Sequence, residues 1–257
     1  MKGILCLIPV PIADEADNSG LVYPLLESTV NSLSEFIVED LKTARCSLRK
    51  IGFKGEFDKM TFHVLNEHTD TKSIGSFLAS AEKGKNLGLL SEAGMPCIAD
   101  PGSDIVRLAH SKNIKVVPLY GQSSIFLALA ASGLNGQNFS FHGYLPKEQS
   151  ERKKKLKEIE STFNSPIPRF SGSLKETRKG RTGETGMGCT HIFIETPYRN
   201  NHLLEDIIAT CSPDTLLCVA VNVTGSSEMI LTKSIAEWKR GELPNLDKQP
   251  TVFLLGR

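Results

Sequence analysis

The sequence predicts an α/β protein built from strand-loop-helix repeats, and three observations carry that prediction. Short apolar runs end at turn residues, as in Leu87-Gly88-Leu89-Leu90 before Ser91 and Lys115-Val116-Val117-Pro118-Leu119 before Gly121. Each run is followed by a Gly/Pro- or Gly/Ser-rich loop and then by a segment with helical spacing. The chain has 257 residues, of which 40% are hydrophobic and 23% charged, enough to bury the core of one large or two small domains.

Taken in order, Ile4 to Ile8 reads as a buried strand; because Pro9 and Pro11 interrupt the apolar run, it reads as a strand rather than a signal peptide. No G-x-G-x-x-G follows it, which argues against a dinucleotide site of the Rossmann type. Leu25 to Leu33 has helical spacing, and Phe36-Ile37-Val38 is a short strand ending at the acidic pair Glu39-Asp40. Thr61 to Leu65 is a strand that runs into Asn66-Glu67-His68, and Ile74, Leu78 and Ala81 continue as one helix. After the Leu87 strand, Pro101 is placed to open a helix through Ile105, Leu108 and Ala109. Gly121-Gln122-Ser123-Ser124 opens an Ala-rich segment that runs to Gly133. In an open α/β sheet, ligands gather beyond the carboxyl ends of the strands. Gly94 and Gly121 there read as positions where a ligand approaches the backbone, or as ordinary turn glycines.

In the second half, Glu151 to Glu160 reads as a charged helix with a solvated face, and Phe163 to Cys189 as a mobile loop without apolar periodicity. From Lys147 to Arg181 there are eleven Lys and Arg against five Glu, although the whole chain carries a net charge of only +1. A nucleic-acid partner therefore needs a local patch, and this segment is the candidate. His191 to Ile194 and Leu216 to Val223 read as strands, with Glu228 to Thr232 pairing to the latter. Asn201 to Ile208 and the segment around Trp238 read as helices, and Thr251 to Leu255 as a further strand, so a mixed sheet is expected. No apolar run reaches the roughly 20 residues of a membrane span, which predicts no membrane partner. The six cysteines are scattered without a C-x-x-C pair, which fits a reducing cytoplasm and argues against a zinc site.

The motifs resemble one family. Ser91-Glu92-Ala93-Gly94-Met95-Pro96-Cys97-Ile98-Ala99-Asp100-Pro101-Gly102 is similar to the Ser-Asp-Ala-Gly-Thr-Pro-Leu-Ile-Ser-Asp-Pro-Gly signature of the ribosomal RNA small-subunit methyltransferase I family, within the tetrapyrrole methylase superfamily. Tyr120-Gly121-Gln122-Ser123-Ser124, Phe141 to Lys147 and Ile194-Glu195-Thr196-Pro197-Tyr198-Arg199 resemble later segments of that family in order and spacing. The chain departs from the pattern at Ala13, where the family has Gly, and at Leu41-Lys42, where it has Thr-Arg after the acidic pair.

The resemblance implies two α/β domains, 1–119 and 120–257, the second with a basic flexible insertion near 163–189, and a cofactor cleft between them. It implies an S-adenosylmethionine-dependent methyltransferase acting on a ribose 2′-hydroxyl of ribosomal RNA in the small subunit, as a homodimer and without a metal. Pro9, Pro11, Met95, Ile98, Ser123 and Ser124 would then face the cofactor, with Glu195, Val221 and Thr251 from the second domain. The base that takes the hydroxyl proton is expected among Glu39, Asp40, Glu67 and His68. Two alternatives stay open: a methyltransferase of this fold with a tetrapyrrole or other small acceptor, and a catalytically silent RNA-binding relative.

Overall fold

A computed structural model describes residues 1–13, 22–66, 69, 71–164 and 188–257. By its contacts the chain divides into two units, Met1–Ser124 with Thr224–Ser226, and Ile125–Val223 with Ser227–Arg257.

The first unit holds β1 (Ile4–Leu7), β2 (Glu35–Val38), β3 (Thr61–Val64), β4 (Leu87–Leu89) and β5 (Lys115–Pro118). They form a parallel sheet in the order β3-β2-β4-β1-β5. Side chains alternate between its faces, and both faces are covered, as an all-parallel sheet requires. Cys6, Phe36 and Val38 pack on one face with α1 (Pro24–Ser32) and α2 (Leu41–Lys50), through Leu26, Val30 and Leu48. Leu5, Ile37, Leu87 and Leu89 pack on the other with α5 (Gly102–Ser111), through Ile105 and Ala109. The helix expected from Ile74 to Ala81 is instead two, α3 (Thr71–Phe77) and α4 (Ala79–Glu82), because Leu78 leaves helical geometry and is fully buried.

Gly88 shows why the central strand carries a glycine: a Cβ there would lie 2.5 Å from Ile8 Cδ1 and 2.8 Å from Phe36 Cδ1. Strands β1 and β2 are connected across one face, through α1, and β4 and β5 across the other, through α5. The adjacent strands β4 and β1 thus send their loops to opposite sides. Their carboxyl ends are the topological switch point of the sheet.

The second unit begins with α6 (Ser124–Ser132), whose first residue is counted in the first unit. It contains β6 (Phe139–Tyr144), α7 (Gln149–Ser161), β7 (Thr190–Ile194), α8 (Asn200–Thr210), β8 (Leu216–Val221), β9 (Met229–Ser234), α9 (Ile235–Arg240) and β10 (Thr251–Gly256). The sheet order is β6-β7-β10-β8-β9, with β6 and β7 parallel and the other pairs antiparallel, so it is a mixed sheet. One face is covered by α7, α8 and α9, which bury Leu156, Ile207 and Trp238 against Phe193, Val219 and Phe253. The Trp238 indole N–H donates to Leu217 O at 3.0 Å, so its polar edge is satisfied inside the core.

Two expectations for this half are corrected. The charged helix α7 is not merely a solvated face: Leu156 and Ile159 are core, and Arg152 is 7% exposed. The loop expected from Phe163 is already part of the fold at its start. Phe163 is buried in a 3-10 turn and packs against the His191 ring at 5.5 Å. Residues 165–187 of the expected insertion lie outside the described residues.

Candidate active site

The carboxyl ends of β1, β4 and β5 are tied together by their loops. Val10 and Gly94 exchange two backbone hydrogen bonds, Val10 N to Gly94 O at 3.0 Å and Gly94 N to Val10 O at 3.2 Å, stitching the loop after β1 to the loop after β4. Pro9 packs on the loop after β5. A Cβ at Gly121 would stand 2.0 Å from Pro9 Cβ and 3.5 Å from Met95 Sδ. Gly94 has φ +71°, and a Cβ there would meet Ile12 Cγ2 at 2.9 Å. Both glycines are therefore required by neighbouring protein atoms, whatever else approaches the backbone there.

Past Gly94 the chain enters an unusual conformation. Cys97 and Ala99 both have positive φ, 71° and 66°, where a side chain costs about 1–2 kcal/mol each. Asp100 holds them there. Its Oδ2 accepts Cys97 N–H at 2.7 Å, its Oδ1 accepts Gly102 N–H at 2.7 Å at the start of α5, and the Ile98 N–H also points to it. Strain that the surroundings over-determine is a feature of ligand-binding loops. Burial raises the Asp100 pKa despite these hydrogen bonds, and it lifts the neighbouring Cys97 thiol to about 12, with the Asp100 charge adding to the effect.

Glu39 follows β2 at the same end of the sheet and is half-buried. Burial, then the charges of Asp100 and Glu92, push its carboxyl up to about 7. A carboxylate in that range exchanges protons near neutral pH, as a general base must. Asp40 is different: it is exposed, it is the N-cap of α2, and its Oδ1 accepts Thr43 N–H at 2.8 Å. Those hydrogen bonds from Thr43 hold its pKa below the ordinary carboxylate value. Glu67 and His68 lie outside the described residues.

The other expected residues fall into two groups. Pro9 and Pro11 are buried after β1, Met95 and Ile98 are half-buried in the Asp100-pinned loop, Ser123 precedes α6 and Ser124 is its first residue. The Gln122 side-chain oxygen beside them is buried without a partner among the described residues. In the second unit, antiparallel pairing brings three expected residues to one end of the sheet. Val221 is the register partner of Thr251, and Glu195 directly follows Ile194, which pairs with Val252. Glu195 is buried, accepts Thr196 N–H at 2.6 Å and pairs with Arg199.

Reading the sequence left Asp100 without a role, although an Asp ahead of Pro-Gly at a helix start is a hydrogen-bonding signal. Nor does the sequence mark Gln122, whose buried side-chain oxygen lacks a partner among the described residues only once the chain is folded. The basic segment is changed most: Arg152, one of the eleven cations counted there, is a buried structural residue. Its Nε and Nη2 donate to Asp206 Oδ2 at 2.8 and 2.6 Å, and its Nη1 donates to Pro146 O and Lys147 O.

Two α/β units, the first doubly wound and the second a mixed sheet, define the fold of the tetrapyrrole methyltransferases. Solved structures agree. The methyltransferase CobJ superposes with a TM-score of 0.60 at 16% identity, covering 99% of this chain and 94% of that one. The cobalamin biosynthetic enzyme cobalt precorrin-4 methyltransferase CbiF superposes with a TM-score of 0.57 at 14% identity over 98% and 94%. No family model matches the chain. Ribosomal RNA small subunit methyltransferase I of Bacillus subtilis is 33% identical over 237 residues, 91% of this chain and 68% of that protein. Its namesake from Haemophilus influenzae is 29% identical over 99% and 79%. The chain belongs to the ribosomal RNA small subunit methyltransferase I family and is a methyltransferase.

Proposed function

We propose that this chain transfers a methyl group from S-adenosylmethionine to a ribose 2′-hydroxyl of small-subunit ribosomal RNA, with Glu39 as the base. The observation that carries the reading is the half-buried Glu39 carboxyl at the switch-point end of the first sheet, beside the loop that Asp100 pins. Family membership supports RNA over a small tetrapyrrole acceptor, and a base poised near neutrality supports an active enzyme over a silent relative.

The residues present fit the donor. Gln122 Oε1, a buried acceptor without a partner among the described residues, suits an N–H of the adenine amino or methionine ammonium group. Pro9, Pro11, Met95, Ile98, Ser123 and Ser124 make up the donor residues of the first unit in this reading, and Glu195, Val221 and Thr251 those of the second. When bound, S-adenosylmethionine supplies an electrophilic methyl on a sulfonium sulfur. Glu39 would accept the proton of the attacking hydroxyl as its oxygen takes the methyl, and the sulfur would keep the C–S bonding pair. Asp100 keeps the loop carrying Met95 and Ile98 in one conformation, so alignment is paid for before substrate arrives.

The domains in this reading are 1–119 and 120–257, the protein is cytoplasmic, and it works as a homodimer. Support for a second copy comes from α6, which leaves Phe126 and Leu127 exposed beside Phe139, with the Phe126 and Phe139 rings 5.9 Å apart.

The test is transfer of labelled methyl groups to an in vitro transcript of small-subunit ribosomal RNA. Label in an alkali-resistant dinucleotide, the mark of a blocked 2′-hydroxyl, is expected, with a rate that rises with pH through about 7 as Glu39 ionises. Label on a base, or transfer only to a small acceptor, would exclude the ribose assignment.

A further inference from the structure

The helix α2 departs from what a surface helix prefers. Its sequence, LKTARCSLRK, has four cations and no acid, and two of them, Lys42 and Arg45, stand in its N-terminal half. There the helix dipole disfavours positive charge. Lys42, Arg45 and Arg49 recur at spacings of three and four, so they share one side of the helix, and all three are exposed. Leu48 and Ala44 are buried against the sheet.

The surroundings offset this stripe only at its start, where the Asp40 carboxylate acts on Lys42. From Lys42 to Lys59 there are six Lys and Arg against two carboxylates, Glu56 and Asp58. Lys54 and Lys59 are ion-paired, to Glu27 at 2.6 Å and Glu56 at 2.9 Å. Among the described residues Lys42, Arg45 and Arg49 have no such pair. Arg45 and Arg49 rest on aromatic faces instead. The Arg45 guanidinium lies 5.6 Å from the Phe57 and Phe62 ring centres, and that of Arg49 lies 4.3 Å from Phe57. Phe36, Phe53, Phe57 and Phe62 form an aromatic cluster beneath them, with Phe36–Phe62 and Phe53–Phe57 stacked. A guanidinium held by a ring keeps its full charge and is partly ordered in advance. Arg49 also donates to Phe53 O and Gly55 O. The contrast with α7 is direct, because Arg152 and Lys153 there are both engaged by Asp206.

The position matters as much as the charge. Glu39 and Asp40 lie immediately before α2, so the stripe starts at the switch-point end of the sheet, beside the proposed base, and runs about 10 Å to Arg49. We propose that the Lys42–Arg45–Arg49 face of α2 is a docking surface for the phosphate backbone of the RNA substrate, leading the strand to the ribose at Glu39. This rests on the RNA reading of the active site.

Cys46, exposed on the same helix between Arg45 and Arg49, provides a local probe. The experiment measures binding of the full chain to a small-subunit ribosomal RNA transcript from 0.05 to 0.3 M salt, and alkylation of Cys46 with and without that RNA. The Lys42→Gln/Arg45→Gln variant is expected to bind about tenfold more weakly near 0.1 M salt, with a log–log salt slope lower by about 1.4, at about 0.7 per phosphate contact to a single strand. Arg45→Lys keeps the slope. Affinity for S-adenosylmethionine is unchanged in both variants, and saturating RNA slows Cys46 alkylation in the parent. A double variant with the parent's affinity and slope overturns the surface and leaves the active-site reading standing. A parent that binds no RNA overturns both.

Discussion

Glu39 is asked to be both half-buried and ionised, and these demands oppose each other. In an unfolded chain its carboxyl ionises near 4.5, in the fold near 7. Between those values the folded protein holds a proton that the unfolded chain has released, so this group lowers stability as pH rises through 7. Glu39→Gln should cut kcat at least about 100-fold while leaving donor affinity within about twofold by calorimetry. It should also raise the melting temperature at pH 8 and leave it unchanged at pH 4. Discounted for partial exposure, the gain is about 1 kcal/mol, or about 2–4 °C. Full activity in this variant would move the base elsewhere. Asp100→Ala tests the neighbouring role. With three backbone N–H groups left without their acceptor, stability should fall by about 1–3 kcal/mol and donor affinity with it. The acid limb of the rate profile should also move to lower pH, because one of the charges opposing Glu39 is gone. At this scale the sequence was only partly legible. Glu39 could be placed because a strand ended there, whereas the work of Asp100 depends on backbone amides that only the folded loop turns toward it.

At the level of elements, the glycine after β5 is explained by a ring 112 residues away in the chain, Pro9 against Gly121. Gly121→Ala should therefore lower both the melting temperature and donor affinity. Adding Pro9→Gly, which removes the clashing atoms, should recover part of the loss. Additive losses in a double-mutant cycle would show that the two positions do not communicate. A second element-scale test is the α7–α8 tie. Arg152→Ala leaves the buried Asp206 carboxylate with only Gln149 and Lys153 and should cost about 3 kcal/mol without changing the salt slope of RNA binding. The parallel strands were legible because burial on both faces makes them continuous apolar runs, LCLI and LGLL among them. The strand β6 was not. Gly143, at φ +65°, sits inside it, and the register shifts between Phe141 and Tyr144, so no period of two survives to be read. Helix α2 was hidden for the opposite reason. Its buried side is only Ala44, Ser47 and Leu48 among four charges, too little apolar signal to mark a helix.

At the scale of the molecule, the exposed α6 face predicts assembly. Phe126→Asp should convert a dimer to a monomer in sedimentation while leaving the melting temperature nearly unchanged, and a parent that sediments as a monomer would remove that surface from consideration. The two sheets also differ in when they can be finished. All five strands of the first lie before Leu119, so that sheet can close while the rest of the chain is still being synthesised. The second cannot, because β10 occupies its centre, between β7 and β8. Until Thr251–Gly256 leaves the ribosome, β7 and β8 present two open apolar edges, the kind that pair with the wrong neighbour. Until β10 emerges, a nascent chain of this protein is thus a finished half joined to an unfinished one, and that strand works as a keystone. Chains stalled or cut before Thr251 should keep a protease-resistant first unit and carry a second that aggregates, which makes the time before this strand emerges the interval in which the second unit depends most on chaperones.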